Sequence, residues 1–514
     1  MFDKRYVFLG AISLALLLAA LANSAPVLIE VDLESKSDFE YAQNLNLSPW
    51  ARWGNIFLAE ADQEILSLLK QAGIEYDLIT SSPRAFENYL VAPRPGAGLS
   101  LVTQVLGKPV LNRTEQRLVQ LTATQVDKIR SQGFTVLEIG QEPIPFTYVT
   151  KLEVRQPAGI VADWIQTLVD QVSQDSLQAY NLRLQNFQTR YSYSDSIASA
   201  REWIMDKFAS FGIDSLYLDH FFWDSDQWNV VATVPGTAEP DALIIVGGHY
   251  DSVTYNQSPG PATYAPGADD NGSGTAATLE LARIIAQNPL PQTVVFVPFA
   301  QEEQGLRGSS AYAAEAFAEG KDIRFMLNMD MIGYKPNTTN VNLLHDPPSV
   351  AVADLMVSLA TTYAGLTGIK GSASGNSDHW HFMQKGWRAV FAHEYVFNSQ
   401  GWHKNTDIVD SMDFDYMTKV VKLALATVAS LSQNSCQAYA GDTNQDGSIT
   451  LEDAIYLVRH LFGGGETFNI DPQCKGDVNA SGNLTLGDAI RLANFIFGKP
   501  GDWTPIATGS CCSL

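Results

Sequence analysis

Residues 243–252 read Leu-Ile-Ile-Val-Gly-Gly-His-Tyr-Asp-Ser, a short β-branched apolar run that breaks directly into His249, Tyr250 and Asp251. A continuous apolar run of this length predicts a buried strand, and an open α/β sheet carries its chemistry just past the carboxyl ends of such strands. The same arrangement recurs outward along the chain. Glu302-Glu303 follow the apolar run Val294 to Phe299, and Asp330 ends the run Phe325 to Met329. Asp269-Asp270-Asn271 lie inside Gly267 to Gly274, just before a helix-patterned stretch from Thr275 to Gln287. His403 sits in Gly401 to Asp407.

The intervening segments complete the pattern. Strand-type runs at Asn229 to Val234, Val341 to Leu344 and Val390 to His393 alternate with helix-type runs at Ser309 to Ala318 and Val350 to Tyr363. That alternation predicts a doubly wound α/β domain with a mostly parallel, buried sheet over 156–435, closed by an amphipathic helix from Asp415 to Leu431. Before it, residues 23–155 hold two strand-helix-strand echoes, at Asn55 to Thr80 and Arg117 to Ile139. They predict a small α+β module with helices on one face, serving either as a pro-segment or as an accessory module.

Both ends carry their own signals. Met1 to Arg5 is basic, Tyr6 to Leu21 is apolar, and Ala20-Leu21-Ala22 is a small-x-small ending, which describes a cleaved export signal over 1–22, with an uncleaved anchor helix as the alternative. All four cysteines fall within 436–514, and none lies near the ligand-type clusters, so any metal site in the α/β domain must use His and carboxylate. The formal net charge of −23 argues against nucleic acid or an anionic membrane as partner.

Five clusters of imidazole and carboxylate residues in this order imply a binuclear metal site with a spare carboxylate, and hence a metal-assisted hydrolase. Zinc takes about four such ligands at roughly 2.0–2.2 Å. Asp251, two residues beyond His249, points to the same side and can fix the tautomer of that ring. The glycines around Asp270 allow a tight backbone path, and a carboxylate there can bridge two cations. Of the adjacent glutamates, one can bind metal while the other accepts a proton from a water acidified by it.

The segments His249 to Ser252, Gly267 to Gly274, Glu302 to Ser309, Asn328 to Met331, Ser377-Asp378-His379 and His403 to Asp407 together resemble the co-catalytic zinc aminopeptidases of peptidase clan MH, relatives of secreted bacterial leucine aminopeptidases. The resemblance covers about Ile160 to Gln433. It implies two zinc ions, one held by His249 and Asp330 and the other by Glu303 and His403, with Asp270 bridging. It further implies Glu302 as general base, Asp251 as the group orienting His249, and peptides shortened from the amino terminus as substrates. Some relatives carry a tyrosine next to the last histidine, for the tetrahedral oxyanion. Here Trp402 stands there, and Tyr395 is the substitute considered. The resemblance gives His379, His381 and His393 no place as ligands. Rival readings on the same scaffold are a glutaminyl cyclase and a carboxypeptidase, and a different class is a non-catalytic assembly component.

The last region is a tandem repeat, in which Gly441 to Gly447 returns 35 residues later as Gly476 to Gly482, each copy running into a helix. Calcium loops need oxygen ligands at alternating positions and a carboxylate about twelve residues along. Asp442, Asn444, Asp446, Ser448 and Asp453 offer the first set, and Asp477, Asn479, Ser481, Asn483 and Asp488 the second. The pair resembles a dockerin module. That resemblance implies up to two calcium ions, a small all-α fold and docking to a cohesin-like partner at the cell surface or outside the cell, or to the protein itself; the alternative is a calcium-stabilised tail without a partner.

Overall fold

The computed structural model describes residues 26–80 except 46, 88–92, 111–112, 116–130, 132, 134–140, 144–149, 152, 154, 159–334, 338–434, 438–444, 448–463, 470, 475–479, 481–505 and 512–513. The expected export signal lies outside these residues, as do Asp446, Cys436, Cys474 and Cys511.

The apolar runs of the central region form one eight-stranded sheet. In chain order its strands are β9 (Ser215–Phe222), β10 (Asp226–Val234), β11 (Glu239–His249), β12 (Gln292–Phe299), β13 (Asp322–Met329), β14 (Asn340–His345), β15 (Thr367–Ser372) and β16 (Ala389–Glu394), numbered after eight strands that precede them. Their spatial order is β15-β14-β16-β13-β11-β12-β10-β9. The centre is parallel, with β11 flanked by β12 and β13 and β13 flanked by β16. Antiparallel pairs at β16/β14, β12/β10 and β10/β9 make the sheet mixed at its sides. The central strands are buried on both faces, which explains their unbroken apolar sequences. One face packs under the helices Gly159–Val169, Gln174–Gln185, Ser196–Ser210, Gly272–Gln287, Val350–Leu359 and Phe414–Asn434. The other carries the shorter helices Arg307–Ala318 and His379–Gln384.

The amino-terminal echo is a duplication. The strands β1 (Val27–Asp32), β2 (Ser48–Trp53), β3 (Ile56–Ala61) and β4 (Tyr76–Thr80) form a sheet of order β2-β3-β1-β4. The strands β5 (Asn88–Ala92), β6 (Leu111–Asn112), β7 (Arg117–Gln120) and β8 (Thr135–Glu138) form a second with the equivalent order β6-β7-β5-β8. The expected strand-helix-strand units therefore belong to two separate antiparallel sheets. In each, the first strand slots between the two strands that flank the helix Gln63–Ala72 or Ala123–Arg130, and its apolar side chains are buried there. One face of the first sheet is covered by the helices Lys36–Gln43 and Gln63–Ala72, and one face of the second by Ala123–Arg130. The bare faces meet each other and the residues Leu306 and Trp380 of the central region. Beside that seam the backbone of Arg52 donates its N–H to Gln384 Oε1 at 2.7 Å and accepts from Gln384 Nε2 at 2.7 Å, while its buried guanidinium lies over the rings of Phe39 and Phe57.

In the carboxyl-terminal region the helices Leu451–Phe462 and Leu486–Ile496 pack through Ala454, Leu457, Ala489 and Leu492. Among the described residues no helix is long and apolar enough to cross a membrane.

Close approach at the head of the helix Gly272–Gln287 decides where its preceding loop lies. Asn271 caps the helix by accepting from Gly274 N at 2.7 Å and donates to Met329 O at 3.0 Å. A Cβ on Gly274 would collide with that same Met329 carbonyl. Gly274→Ala is expected to destabilise the protein by about 1–3 kcal/mol through overpacking. Urea unfolding checks this, and an unchanged midpoint would remove the constraint.

Candidate metal centre

The ends of the parallel strands bring the ligand-type residues together. His249 ends β11, Glu302 and Glu303 follow β12, Asp330 follows β13, and Asp270 lies in the loop before the helix Gly272–Gln287. His403 arrives from the loop after β16. Three groups, His249/Asp270/Asp330, His249/Glu302/Glu303 and Asp270/Glu303/His403, each place one ligand atom per residue within 4.8 Å of the others.

Asp270 is the shared member. Its Oδ1 lies 3.3 Å from His249 Nε2 and its Oδ2 lies 3.3 Å from His403 Nε2. His249 Nε2 also faces Asp330 Oδ1 at 3.5 Å and Glu302 Oε2 at 3.8 Å, while His403 Nε2 meets Glu303 Oε2 at 2.9 Å. His249 Nε2, Glu303 Oε1 and Asp330 Oδ1 are buried yet make no hydrogen bond among the described residues. Buried polar atoms left without partners are costly, and orphan imidazole and carboxylate atoms converging on one space are the donor set that a zinc-type ion satisfies.

Surrounding groups fix each donor. Asp251 Oδ1 stands 3.4 Å from His249 Nδ1, and its two carboxylate oxygens accept from the backbone N–H of Glu302 at 3.2 Å and Glu303 at 3.3 Å. It thus holds the histidine and both glutamates at once. Asp407 accepts from the N–H of Asp269 and of Asp270, each at 3.0 Å. Ser377 Oγ donates to Asp330 Oδ2 at 2.7 Å and accepts from Asn328 Nδ2 at 2.8 Å. Arg190, fully buried, ties down the glycine loop by donating to Pro266 O at 2.8 Å and Gly267 O at 2.7 Å. The ring of Trp402 stacks on His403 with centroids 3.9 Å apart. Left-handed backbone at Gln301, Met331 and His403 itself shows a chain held in sparsely populated geometry around the site.

The cavity at this cluster measures about 50 Å³. Tyr255 and Trp402 line it, whereas Tyr395 is 45 % exposed and lies outside its lining. Tyr255, which the sequence reading missed, packs edge-on against His403 with centroids 5.0 Å apart, and its N–H donates to His403 O at 3.0 Å. Burial, reinforced by Glu303, raises its hydroxyl well above the ordinary phenol range, so it stays protonated and can donate. The only signal for it is its place four residues after Asp251. His379 stacks on Phe391, His393 meets Glu394 O, and His381 borders a neighbouring cavity, so none joins the three groups. Arg130, Phe134, Thr135 and Val136 of the amino-terminal sheets close the cavity from above.

Of the second calcium-type set, Asp477 accepts from Ser481 N and Gly482 N at 2.9 and 2.7 Å, and Asp488 accepts from Asn479 N and Thr485 N at 3.1 and 2.8 Å. Ser481 Oγ donates to Asn483 O at 3.0 Å. In the first set Asp453 accepts from Asn444 N at 3.2 Å and Thr450 N at 2.8 Å.

Fold and site together define a metal-dependent hydrolase. The chain belongs to peptidase family M28, whose profile matches residues 229–428. It is 30% identical over 288 residues to leucine aminopeptidase 1 of Ajellomyces capsulatus (strain NAm1 / WU24), covering 52% of this chain and 74% of that protein. It is 28% identical over 367 residues to leucine aminopeptidase 1 of Trichophyton equinum, covering 64% of this chain and 96% of that one. The crystal structure of Legionella pneumophila LapA aminopeptidase shares the fold at a TM-score of 0.55 and 19% identity, over 67% of this chain and 98% of that one.

Charge crowding at the site has a pH signature. Burial raises Glu302 well above its usual range, raises Glu303 and Asp378 to about 7, and raises Asp269 to about 7. For His403 burial acts downward, but Glu303 and Asp270 outweigh it and carry the ring up to about 10. Asp270 goes the other way, because His249 and His403 overcome its burial and hold it low. Carboxyl groups raised on folding cost stability once the pH exceeds their unfolded value of about 4. The His403 pairing is complete below its unfolded value of about 6.5 and is lost as the pH climbs toward its folded value, so it acts in the same direction. The Asp270 contribution is lost only on acidification below about 4. Metal-free protein is therefore expected to melt at lower temperature at about pH 8 than at about pH 5, and zinc should raise the melting temperature more at the higher pH. A metal-free melting temperature that rises over this interval would contradict the assignment.

Proposed function

We propose that this chain is an exported aminopeptidase that uses two zinc ions to remove residues from the amino terminus of peptides. The observation that carries the reading is Asp270, which turns one oxygen toward His249 and the other toward His403, so that two donor sets share one carboxylate. His249 with Asp330 would hold one ion and Glu303 with His403 the other. Bound there, the pair would polarise the scissile carbonyl and acidify the attacking water. The relatives from Ajellomyces capsulatus and Trichophyton equinum carry the name leucine aminopeptidase 1.

Glu302 is suited to general-base work. It sits in the same cluster, its carboxyl is drawn up by burial, and its N–H is tied to Asp251. It would take a proton from the attacking water and return it to the leaving amine. The surrounding carboxylates suit the α-ammonium group of a chain end. Tyr255 and Trp402 bound the space in which the first side chain would sit. The basic, apolar and small-residue sequence of Met1 to Ala22 is what supports export.

Glu302→Gln is expected to keep two equivalents of bound zinc and to lose leucyl p-nitroanilide hydrolysis by about 10²–10⁴-fold. Metal analysis alongside the rate checks this. Near-normal turnover would remove Glu302 from the base role, and one zinc with cyclisation of amino-terminal glutamine would move the chain to the cyclase reading.

For the carboxyl-terminal repeat we infer two calcium-supported loops presenting a docking face to a cohesin-like protein. Three apolar pairs, Leu451/Leu486, Ile455/Ile490 and Phe462/Phe497, recur at the repeat spacing and are all more than two-fifths exposed. A repeated solvent-facing apolar surface favours a partner over a tail without one. Chelation of calcium is expected to unfold the helices Leu451–Phe462 and Leu486–Ile496 while leaving anilide hydrolysis intact. Amide exchange by region reads this directly. Equal protection with and without calcium would count against metal in the loops.

A further inference from the structure

Two cavities meet at Gly305. The first holds the metal-type cluster, and the second, of about 250 Å³, lies between the amino-terminal sheets and the central domain. Arg130 and Gly305 line both. A Cβ on Gly305 would stand 2.8 Å from Arg130 Nη2 and 3.4 Å from Val136 O, so the bare glycine lets the guanidinium lie directly against the turn that carries Glu302 and Glu303. Arg130 Nη2 is steadied there by donating to Val136 O at 2.9 Å.

The lining of the second cavity runs against the charge of the chain. The protein as a whole carries −23, yet the cations Arg130, Arg307 and Lys385 face this space with one acidic residue, Glu138. Arg307 pairs outside the lining with Asp224 at 2.5 Å and lies over the ring of Trp223, 5.3 Å from its centroid. Trp50, Tyr89 and Trp380 supply apolar walls. Guanidinium groups beside aromatic surfaces in a recess suit an organic chain that ends in a carboxylate, where charge-assisted hydrogen bonds are strong.

We propose that this cavity receives the distal end of the substrate, namely the carboxylate of a short peptide whose amino terminus lies at the metal-type cluster. The proposal rests on the aminopeptidase reading and adds a substrate class to it. The space falls below the roughly 300–1,000 Å³ of sites that enclose drug-sized ligands, so it suits one or two residues beyond the scissile bond. With Phe134, Thr135 and Val136 closing the first cavity, the amino-terminal sheets become a wall of the substrate site.

The test uses the full-length, zinc-loaded protein with leucyl-glycyl-glycine as the free acid and as its carboxyl-terminal amide, and with leucyl p-nitroanilide as a separate report on the metal site. The acid is expected to exceed the amide in kcat/KM by about tenfold, the scale of one charge-assisted contact. Arg130→Gln should bring that ratio close to one, and Arg130→Lys should restore part of it. Equal kcat/KM for acid and amide in the unaltered protein overturns the proposal. So does an Arg130→Gln variant that loses rate on both while keeping their ratio, or activity that emerges only after the chain is cut between residues 149 and 159. Failure to hydrolyse the anilide in cut and uncut protein alike would instead overturn the aminopeptidase reading itself.

Discussion

Asp270 lies between two imidazoles, one carboxylate oxygen directed at each, and is buried with Glu302, Glu303 and Asp330 close by. Four carboxyl groups gathered out of water repel one another and resist ionisation, and two imidazoles compensate only in part. Divalent metal is the neutralising charge that this donor set suits. The remainder of the centre can be understood as the scaffold that keeps the carboxylates together before that charge is present.

The scaffold works mainly through backbone donors and single carboxylates that each hold two things. Asp251 engages His249 and also the N–H groups of both glutamates, so the end of β11 and the turn after β12 cannot shift independently. Asp407 does the same for Asp269 and Asp270 and lies only four residues beyond His403, which links the bridging loop to the last histidine. Arg190 reaches the loop from a distant segment and ends on main-chain carbonyls, leaving the nearby acids free for the site. Together these contacts confine the donors to a small range of separations, which a metal site requires.

The parallel strands were legible in the sequence because each is buried on both faces and stops abruptly at a polar residue. β11 and His249, β12 and Glu302, and β13 and Asp330 all carry that mark. The edge strands β9 and β15 lack it, since half-exposed sequences such as Thr367–Ser372 alternate poorly and contain glycine. The supporting groups were hidden for another reason. Nothing local distinguishes Asp407 or Arg190 from any other charged residue, because their partners lie up to 138 residues away. Tyr255 and the contribution of Arg130 are likewise products of tertiary packing. The amino-terminal duplication was half legible, as strand-helix-strand units are local while the strand inserted between them is not.

That duplication bears on the metal centre through one side chain. Each amino-terminal sheet has one face covered by helices and leaves the other apolar, and the two bare faces share a core with Leu306 and Trp380. Leu306 is fully buried, takes a left-handed backbone conformation, and donates its N–H to Glu302 O at 2.9 Å. Such a conformation in a branched residue persists only where its surroundings over-determine it. The seam that seats the amino-terminal sheets therefore also pins the turn presenting Glu302 and Glu303. Removing the sheets would uncover Leu306 and Trp380 and release a constraint on the very glutamates that the centre depends on. The sheets are thus coupled to the geometry of the site as well as to access to it.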